Sequence, residues 1–271
     1  MNLEAYLQRI SYRGSLEPTF ETLRALHRAH LLAIPYENLD IHLGRPLSLS
    51  KDTIFEKLVL ERRGGWCYEM NGLFAWVLKA LGFEPRLLGG AVNRDNLGVA
   101  AERNHLALWV ELDKPYLADV GFGNGFLEPL ILEESRQRQG FLTYHLERLD
   151  ETWWRYRQDH GGPNYDFTLD PYELEAFSEK CHYLQTSPES GFVRLTTCHR
   201  FTPEGIVSLR GAVLEEMDQT GRRERVIDTF AEYEKLVTET FSLPLHLDKL
   251  EPLWKRVWQS HLTWQANLKG T

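Results

Sequence analysis

The chain has 271 residues, of which 42% are hydrophobic, 12% aromatic and 26% charged. This composition is typical of a folded globular protein and excludes a disordered or fibrous chain. The net charge of −8 argues against a broad surface for the nucleic-acid backbone, although it leaves room for a local basic pocket for a small anion. Three cysteines are too few for a disulfide framework and indicate a reducing compartment.

The first residues show no sign of a targeting segment. Glu4 and Arg9 interrupt the stretch in which a signal peptide would have its apolar core. The longest nearly uncharged apolar stretch, residues 72–78, is far too short to span a bilayer. We therefore expect a cytoplasmic protein with no membrane partner and no nucleic-acid partner, and a homodimer is left open.

Helical spacing of apolar residues predicts a helical first third. Apolar residues recur every three or four positions over 3–10 and 20–30, and Ser50 suits the N-cap of a further helix. Another helix should begin just after Gly65 and end before Gly82, because glycine favours helix termination.

After about residue 85 the pattern changes to short β-rich runs separated by turn residues. Strands are predicted over 86–92, 106–112, 116–120, 143–149, 152–158, 192–197, 206–209 and 225–228. Helices are predicted over 171–184 and over 232–259, the second broken at Leu243-Pro244. The fold class is therefore α+β, with helices first, a mostly antiparallel sheet or barrel next, and a mixed third part.

The segment RRGGWCYEMNG, which contains Cys67, is the most informative stretch. Its two glycines let the backbone turn sharply before a helix begins, which places Cys67 in the first helical turn. The unpaired N–H groups of that turn favour a thiolate, and Arg62 and Arg63 add positive charge nearby. We therefore expect Cys67 to be a nucleophile with a lowered pKa, and a buried structural cysteine is the alternative.

A nucleophilic cysteine requires a histidine base and a third group that orients the base. His105 begins an alternating strand, and Asp119 lies at the end of the next one. Antiparallel pairing around the turn at 113–115 would bring the two side chains together. A structural histidine and a turn-capping aspartate are the alternatives, but the order Cys, His, Asp favours a triad.

The glycine-rich turn VGFGNG follows Asp119 directly. Gly121, Gly123 and Gly125 could form a nest of backbone N–H groups for a phosphate or an oxyanion, and a plain hairpin corner is the alternative. The spacing is not GxGxxG and no βαβ unit surrounds it, which disfavours a dinucleotide-binding fold.

Two adjacent pairs, Cys181-His182 and Cys198-His199, invite a metal interpretation. Neighbouring residues rarely both face one ion, and no CxxC or HxxxH spacing supports a site. We therefore predict no metal.

RRGGWCYEMNGLF, NHLALWV and YLADVGFGNGFLEPL together resemble the arylamine N-acetyltransferase family. IPYENL and YLQTSP are similar to other segments of that family, so the resemblance covers most of the chain, with departures at Tyr36 and Trp66. It implies that Cys67 is the acyl-accepting nucleophile, His105 its base and Asp119 the orienting carboxylate. Acetyl-coenzyme A contacts are implied for Gly121, Gly123, Asn124 and Gly125.

The resemblance also implies a fold and a reaction. The fold is a helical bundle over 1–84, an antiparallel β-barrel over 85–184 and an α/β lid over 185–271, with a papain-like catalytic core. The reaction is acetyl-coenzyme A-dependent N-acetylation of small arylamines and arylhydrazines, by a ping-pong mechanism through an acetyl-cysteine. Tyr68 and Phe122 flank the nucleophile and the glycine-rich turn, so we expect them to line the acceptor cleft.

Three other functions are left open at this point. One is an amide synthase that joins a carrier-bound acyl chain to an aromatic amine. Another is a cysteine hydrolase of the papain or transglutaminase type. The third is a non-catalytic binding module, which the intact Cys67, His105 and Asp119 disfavour.

Overall fold

Helices dominate the amino-terminal part of the computed structural model, which describes residues 1–269. The helices are α1 (Leu3–Arg9), α2 (Phe20–Ala33), α3 (Leu39–His42), α4 (Lys51–Phe55), α5 (Cys67–Ala80), α6 (Arg94–Leu97), α7 (Ser178–Thr186), α8 (Gly191–Arg194), α9 (Phe230–Lys235) and α10 (Leu247–Lys269). Helices α4 and α9 continue into π-helical turns at Glu56–Leu60 and Leu236–Thr240, and 3₁₀ turns lie at Gly98–Ala101 and Leu174–Phe177.

Two antiparallel sheets contain the strands of the described residues. The strands are β1 (Tyr36–Glu37), β2 (Pro85–Val92), β3 (His105–Glu111), β4 (Pro115–Ala118), β5 (Leu130–Ile131), β6 (Ser135–Gln139), β7 (Leu142–Arg148), β8 (Trp154–Gln158), β9 (Tyr165–Tyr172), β10 (Thr197–Phe201), β11 (Gly205–Arg210), β12 (Val213–Asp218) and β13 (Gly221–Val226). The larger sheet has the order β5-β4-β3-β2-β9-β8-β7-β6, and the smaller one β1-β10-β11-β12-β13.

The eight-stranded sheet curls into a nearly closed barrel, and side-chain amides join its two edge strands. Gln137 on β6 accepts a hydrogen bond from the Ile131 N–H at 2.9 Å and donates one to the Ile131 carbonyl at 2.7 Å. The amide thus takes the place of a ladder pair at the seam. Closure of this kind satisfies edge groups that would otherwise be free to pair with another chain.

The five-stranded sheet has two different faces. Leu209 and Leu214 on one face join a buried apolar cluster with Leu250 and Leu253 of α10. Ile206 on the opposite face belongs to the main core, which the helical bundle and the barrel share. The sheet is therefore packed on both sides, against α9 and α10 and against the rest of the protein.

Most of the predicted elements that position the site are confirmed. Helix α5 begins at Cys67, and β3 pairs with β4 with Glu111 opposite Pro115, as the sequence indicated. Gly82 follows α5 with a φ of 85°, a conformation that favours glycine. The break in the tail at 243–244 is also present, between α9 with its π-turn and α10.

Several boundaries predicted from sequence are wrong. The strand predicted over 192–197 is replaced by the short helix α8, because the Ser190 hydroxyl accepts a hydrogen bond from the Phe192 N–H and caps it. The helix predicted from Pro171 begins only at Leu174, since β9 extends to Tyr172.

One smaller prediction also needs correction, because the last strand of the sheet covers 221–226 rather than 225–228. Ser50 is the N-cap residue of α4, as predicted, although its side chain makes no capping hydrogen bond. The division of the chain at 84 and 184 stays a prediction. None of the described helices is both long and apolar enough to cross a membrane.

Candidate active site

Two glycines fix the start of helix α5. A Cβ on Gly64 would lie 2.3 Å from the Pro35 carbonyl oxygen, and a Cβ on Gly65 would lie 2.9 Å from Glu69 Oε2. The Glu69 carboxylate accepts a hydrogen bond from the Trp66 N–H at 3.2 Å, which satisfies one free donor of the helix start. Only glycine fits the close approach, so the chain enters α5 with Cys67 as its first residue.

The barrel brings His105 and Asp119 into contact. Adjacent strands β3 and β4 place His105 Nε2 2.7 Å from Asp119 Oδ2, and both side chains are at least 97% buried. The Cys67 thiol accepts a hydrogen bond from the N–H of Leu106, the residue after His105, and is near enough to Asp119 for that charge to raise the thiol pKa. The structure therefore brings together the nucleophile, base and carboxylate predicted from sequence.

Asn71 ties helix α5 to the barrel, and the sequence analysis missed it. Its amide nitrogen donates to Asp119 Oδ1 at 2.8 Å and to the Leu106 carbonyl at 2.6 Å. Its amide oxygen accepts from the Val120 N–H at 2.9 Å. Asn71 lies one helical turn after Cys67 on the same face, and that spacing is the signal that could have revealed it.

His27 of α2 is a second polar neighbour that the sequence analysis missed. Its Nε2 accepts a hydrogen bond from the Asp119 N–H at 3.0 Å, and its Nδ1 lies 2.9 Å from the Leu127 carbonyl oxygen. A carbonyl only accepts, so Nδ1 carries the ring proton. Burial lowers the pKa of His27 to about 4, which keeps the ring neutral. The position of His27 on the apolar face of the predicted helix is the sequence signal that could have revealed it.

The lowered thiol pKa expected from the helix terminus is wrong. Cys67 is 2% exposed, and burial raises the pKa of its thiol. The Asp119 charge raises that pKa further, whereas the backbone N–H groups of Leu106 and Tyr68 act to lower it. A buried thiolate therefore needs an adjacent positive charge.

Asp119 is held as a carboxylate. Burial acts to raise its pKa, but the His105 ring, the Asn71 amide and the Gly121 N–H outweigh burial and hold the pKa below its usual value. The Gly121 N–H donates to Asp119 Oδ1 at 2.9 Å. A fixed negative charge at this place stabilises an imidazolium at His105.

The two arginines before the glycines have a different role from the one expected. Arg62 is exposed in a left-handed conformation, with a φ of 56°. Arg63 is buried, and its guanidinium lies 2.7 Å from Glu37 and 2.8 Å from Asp40. Two carboxylates therefore neutralise Arg63, and its charge is not available to the Cys67 thiolate.

The glycine-rich turn packs closely against the nucleophile and the five-stranded sheet. A Cβ on Gly121 would lie 2.7 Å from Cys67 Cα, and a Cβ on Gly123 would lie 2.7 Å from His199 Cδ2. The carbonyl of Gly125 accepts a hydrogen bond from the Tyr144 hydroxyl at 3.1 Å, and Asn124 is half-buried. Gly121 and Gly123 therefore have no space for a side chain, which lets the turn pack against α5 and the five-stranded sheet.

The two aromatic residues predicted to line the acceptor cleft differ in position. Phe122 is half-buried, and its ring lies edge-on to His105 with centroids 5.1 Å apart. Tyr68 is fully buried against Trp66, and its hydroxyl donates to the Arg103 carbonyl at 2.7 Å. Of these two residues, Phe122 is the one in ring contact with His105, and a contact of either residue with an acceptor stays a prediction.

No group of three or more His, Cys, Asp or Glu side chains in the described residues could hold a metal ion. Cys181 and Cys198 are buried free thiols. Cys181 belongs to the main core and Cys198 to the cluster beside α10.

The sequence matches a known family over most of its length. The family model for N-acetyltransferases matches residues 19–250. The chain is 34% identical to the pineal gland isozyme NAT-3 of arylamine N-acetyltransferase from Gallus gallus, over 90% of this chain and 95% of the relative. It is 36% identical to arylamine N-acetyltransferase 2 from Mesocricetus auratus, over 79% of this chain and 82% of the relative.

Solved structures give the same result. The arylamine N-acetyltransferase of Mycobacterium marinum in complex with CoA superposes with a TM-score of 0.86 at 29% identity, covering 94% of this chain and 99% of the other. The enzyme from Nocardia farcinica superposes with a TM-score of 0.84 at 36% identity, covering 94% and 93%. Sequence and fold agree, and the chain belongs to the arylamine N-acetyltransferase family of acyltransferases.

Proposed function

We propose that this enzyme transfers an acetyl group from acetyl-coenzyme A to small arylamines and arylhydrazines through an acetyl-cysteine at Cys67. The observation that carries the proposal is the 2.7 Å contact of His105 Nε2 with Asp119 Oδ2 beside the first residue of α5. A base, its orienting carboxylate and a thiol at a helix start are the parts that nucleophilic acyl transfer requires.

The acylation half begins with proton transfer. Asp119 accepts the Nε2 proton of His105 in a hydrogen bond, so Nδ1 is the nitrogen that takes the proton from the Cys67 thiol. The thiolate attacks the acetyl carbonyl, and the Tyr68 N–H in the first turn of α5 is suited to donate to the oxyanion. As the C–S bond of the donor breaks, the Nδ1 proton passes to the departing sulfur.

The deacylation half runs the same proton path in reverse. The amine nitrogen attacks the acetyl-cysteine and His105 Nδ1 takes a proton from that nitrogen. The C–S bond to Cys67 breaks, the amide leaves, and the proton returns to the thiol. Burial of Cys67 excludes water from the thioester, which favours transfer over hydrolysis.

The glycine-rich turn supports coenzyme A as the donor. Gly121 and Gly123 approach Cys67 and His199 so closely that any side chain would collide. The Gly121 N–H is engaged by Asp119 and the Asn124 N–H by the Phe122 carbonyl at 3.1 Å, so the N–H groups of Gly123 and Gly125 are the ones we assign to the donor. The M. marinum relative is described in complex with CoA. Phe122 beside His105 offers a flat surface to an aromatic acceptor.

Steady-state kinetics with a panel of acceptors tests this function. Anilines and aryl hydrazines should give parallel double-reciprocal plots with acetyl-coenzyme A, because one product leaves before the second substrate binds. Alkyl amines are protonated at neutral pH and should turn over slowly. Intersecting lines, or equal rates with alkyl amines, would contradict the proposal, and release of acetate without any amine would indicate a hydrolase.

A further inference from the structure

His27 lies on the buried face of α2, and both nitrogens of its ring bond to the main chain that follows β4. Nε2 accepts a hydrogen bond from the Asp119 N–H at 3.0 Å, and Nδ1 donates one to the Leu127 carbonyl at 2.9 Å. Asp119 and Leu127 are the two ends of the segment that contains the glycine-rich turn. One side chain thus fixes the start and the end of this segment.

The hydrogen bond to Asp119 takes the place of a strand partner. Strand β4 ends at Ala118, and the β3–β4 ladder ends with the pair of Leu108 and Ala118. Asp119 is the next residue, and its buried N–H needs an acceptor from outside the ladder. His27 Nε2 is that acceptor, so the ring extends the ordered main chain of β4 by one residue, to the catalytic carboxylate.

The His27 ring also packs against two aromatic residues from different elements. Phe126, the residue before Leu127, stacks on it with centroids 5.6 Å apart and 9° between the planes. Phe74 of α5 meets it edge-on, with centroids 5.8 Å apart and 79° between the planes. Helix α5 begins at Cys67. The ring therefore packs between the helix of the nucleophile and the segment of the carboxylate.

The charge state and burial of His27 define what the ring does. Burial lowers its pKa to about 4, so at neutral pH the ring is uncharged and Nε2 keeps the lone pair that accepts from Asp119. The side chain is fully buried, so a substrate does not touch it. Any effect of His27 on the reaction must therefore pass through the residues that it holds.

Asp119 is held from two directions, and the two have different consequences. The Asn71 amide and the Gly121 N–H bond its carboxylate, whereas His27 bonds its main-chain N–H. The main chain sets the position from which Asp119 Oδ2 reaches His105 Nε2 at 2.7 Å. A displacement of about 1 Å in such a group costs on the order of 10²-fold in rate.

We infer that His27 is a positioning residue, which sets the reactivity of Cys67 by holding the main chain of Asp119 and thereby the carboxylate that orients His105. The inference rests on the proposed function, since it takes Cys67, His105 and Asp119 to act together.

His30 provides a matched control for this inference. It lies one turn later on α2, is equally buried, and meets Phe74 edge-on as His27 does. Its Nδ1 bonds to the Tyr6 hydroxyl at 2.9 Å, away from Asp119. His27→Phe and His30→Phe each place a phenyl ring at a buried imidazole, so they should lose similar stability but differ in their effect on Cys67.

The first measurement is the rate at which iodoacetamide alkylates Cys67, followed by mass spectrometry of its peptide. It requires neither an acetyl donor nor an amine. At a temperature where both variants are folded, His27→Phe should slow alkylation at least tenfold, and His30→Phe should leave the rate unchanged. Equal rates in the two variants would overturn the inference and leave His27 a residue that only packs the core.

Two amide variants separate the two hydrogen bonds of the ring. The Gln amide oxygen reaches the position of Nε2, and the Asn amide nitrogen reaches that of Nδ1. His27→Gln should therefore keep the bond to Asp119 and restore alkylation to within about threefold of the unaltered protein. His27→Asn should keep only the bond to Leu127 and stay at least about tenfold slow. Equal rates in these two variants would show that the bond to Asp119 does not control Cys67.

Asp119→Asn distinguishes a failure of this inference from a failure of the proposed function. It should slow alkylation of Cys67 directly, and an unchanged rate would refute the triad, on which both claims rest. Slow alkylation in Asp119→Asn together with an unchanged rate in His27→Phe would refute only the role of His27.

Steady-state kinetics with acetyl-coenzyme A and an arylamine provide the second measurement. His27→Phe should lower kcat at least tenfold at unchanged acceptor KM, because the acceptor does not contact the ring, and His30→Phe should retain kcat. Equal kcat values in the two variants, or a change confined to acceptor KM, would contradict a positioning role.

Discussion

Two buried polar clusters flank helix α5, and they differ in whether their charged groups are permanently paired. On one side, Lys57 lies 2.9 Å from Glu69 and 3.0 Å from Asp40, and Arg63 bonds Asp40 and Glu37. On the other side, Cys67 and His105 are adjacent to a single carboxylate, Asp119. The first cluster, which we call the ion cluster, pairs fixed charges. The triad contains two groups that can exchange a proton.

The difference shows that buried charge stabilises the fold in the ion cluster, whereas burial in the triad controls the protonation of Cys67. Burial acts to raise the pKa of Asp40, but Lys57 and Arg63 outweigh it and hold the pKa below its usual value. Lys57 and Arg63 both have raised pKa values, despite their burial, because of these carboxylates. Lys57, Arg63 and Asp40 therefore stay charged, whereas Cys67 and His105 become charged together, as a thiolate–imidazolium pair beside the Asp119 carboxylate.

Removing the nucleophile should lower the rate of acetyl transfer more than any other substitution considered. Cys67→Ser keeps the shape of the side chain but leaves a hydroxyl that His105 cannot ionise as readily, so transfer should fall on the order of 10⁴-fold. The melting temperature should change little. Cys181→Ser, at a thiol buried to the same degree, is the control and should retain activity. Loss of activity in both variants would remove the distinction between the thiols.

The base and its carboxylate should act as one unit. His105→Ala and Asp119→Asn should each lower kcat on the order of 10³-fold or more, because each disrupts the same proton path. The double variant should be no worse than the more impaired single variant. Single-turnover rates with acetyl-coenzyme A would measure this, and losses that multiply would contradict a coupled triad.

Substitutions in the ion cluster should lower the free energy of unfolding more than they lower the rate of acetyl transfer. Lys57→Met leaves Glu69 and Asp40 without their shared cation, which should cost about 3–5 kcal/mol in the free energy of unfolding. Lys255→Met removes a cation that pairs with Glu251 at the surface, and its cost should be below about 1 kcal/mol. Urea denaturation would measure both. Equal losses of unfolding free energy in the two variants would show that the buried ion pairs of Lys57 stabilise the fold no more than a surface pair does.

The pH dependence of stability should report the neutral histidine behind the triad. Burial lowers the pKa of His27 from 6.5 to about 4 in the folded state, so the unfolded state binds the proton first as pH falls. Stability should therefore decrease between pH 6.5 and pH 4, by about 3 kcal/mol from this residue. His27→Phe should show a shallower slope over that range, and an unchanged slope would contradict a buried neutral ring.

Local signals account for the parts of the site that sequence predicted. Gly64 and Gly65 indicate the turn before Cys67. The alternation of side chains over 105–111 predicts a strand, and the short turn after it pairs that strand with the one that leads to Asp119. Each of these features depends on a few neighbouring residues, and such features can be read from a sequence.

Long-range contacts account for the parts that sequence did not predict. His27 meets Asp119 across 92 positions, and Arg63 meets Glu37 across 26, so neither partnership has a local signature. The thiol pKa of Cys67 depends on burial that packing alone decides. At α8, capping by Ser190 overrides the β-propensity of Phe192 and Val193.

Mass spectrometry of the enzyme incubated with acetyl-coenzyme A and no amine tests the central claim most directly. We expect one added acetyl group on the peptide that contains Cys67, lost when an arylamine is added and absent in Cys67→Ser. An acetyl group on another residue, or full turnover with no acetylated enzyme, would contradict it.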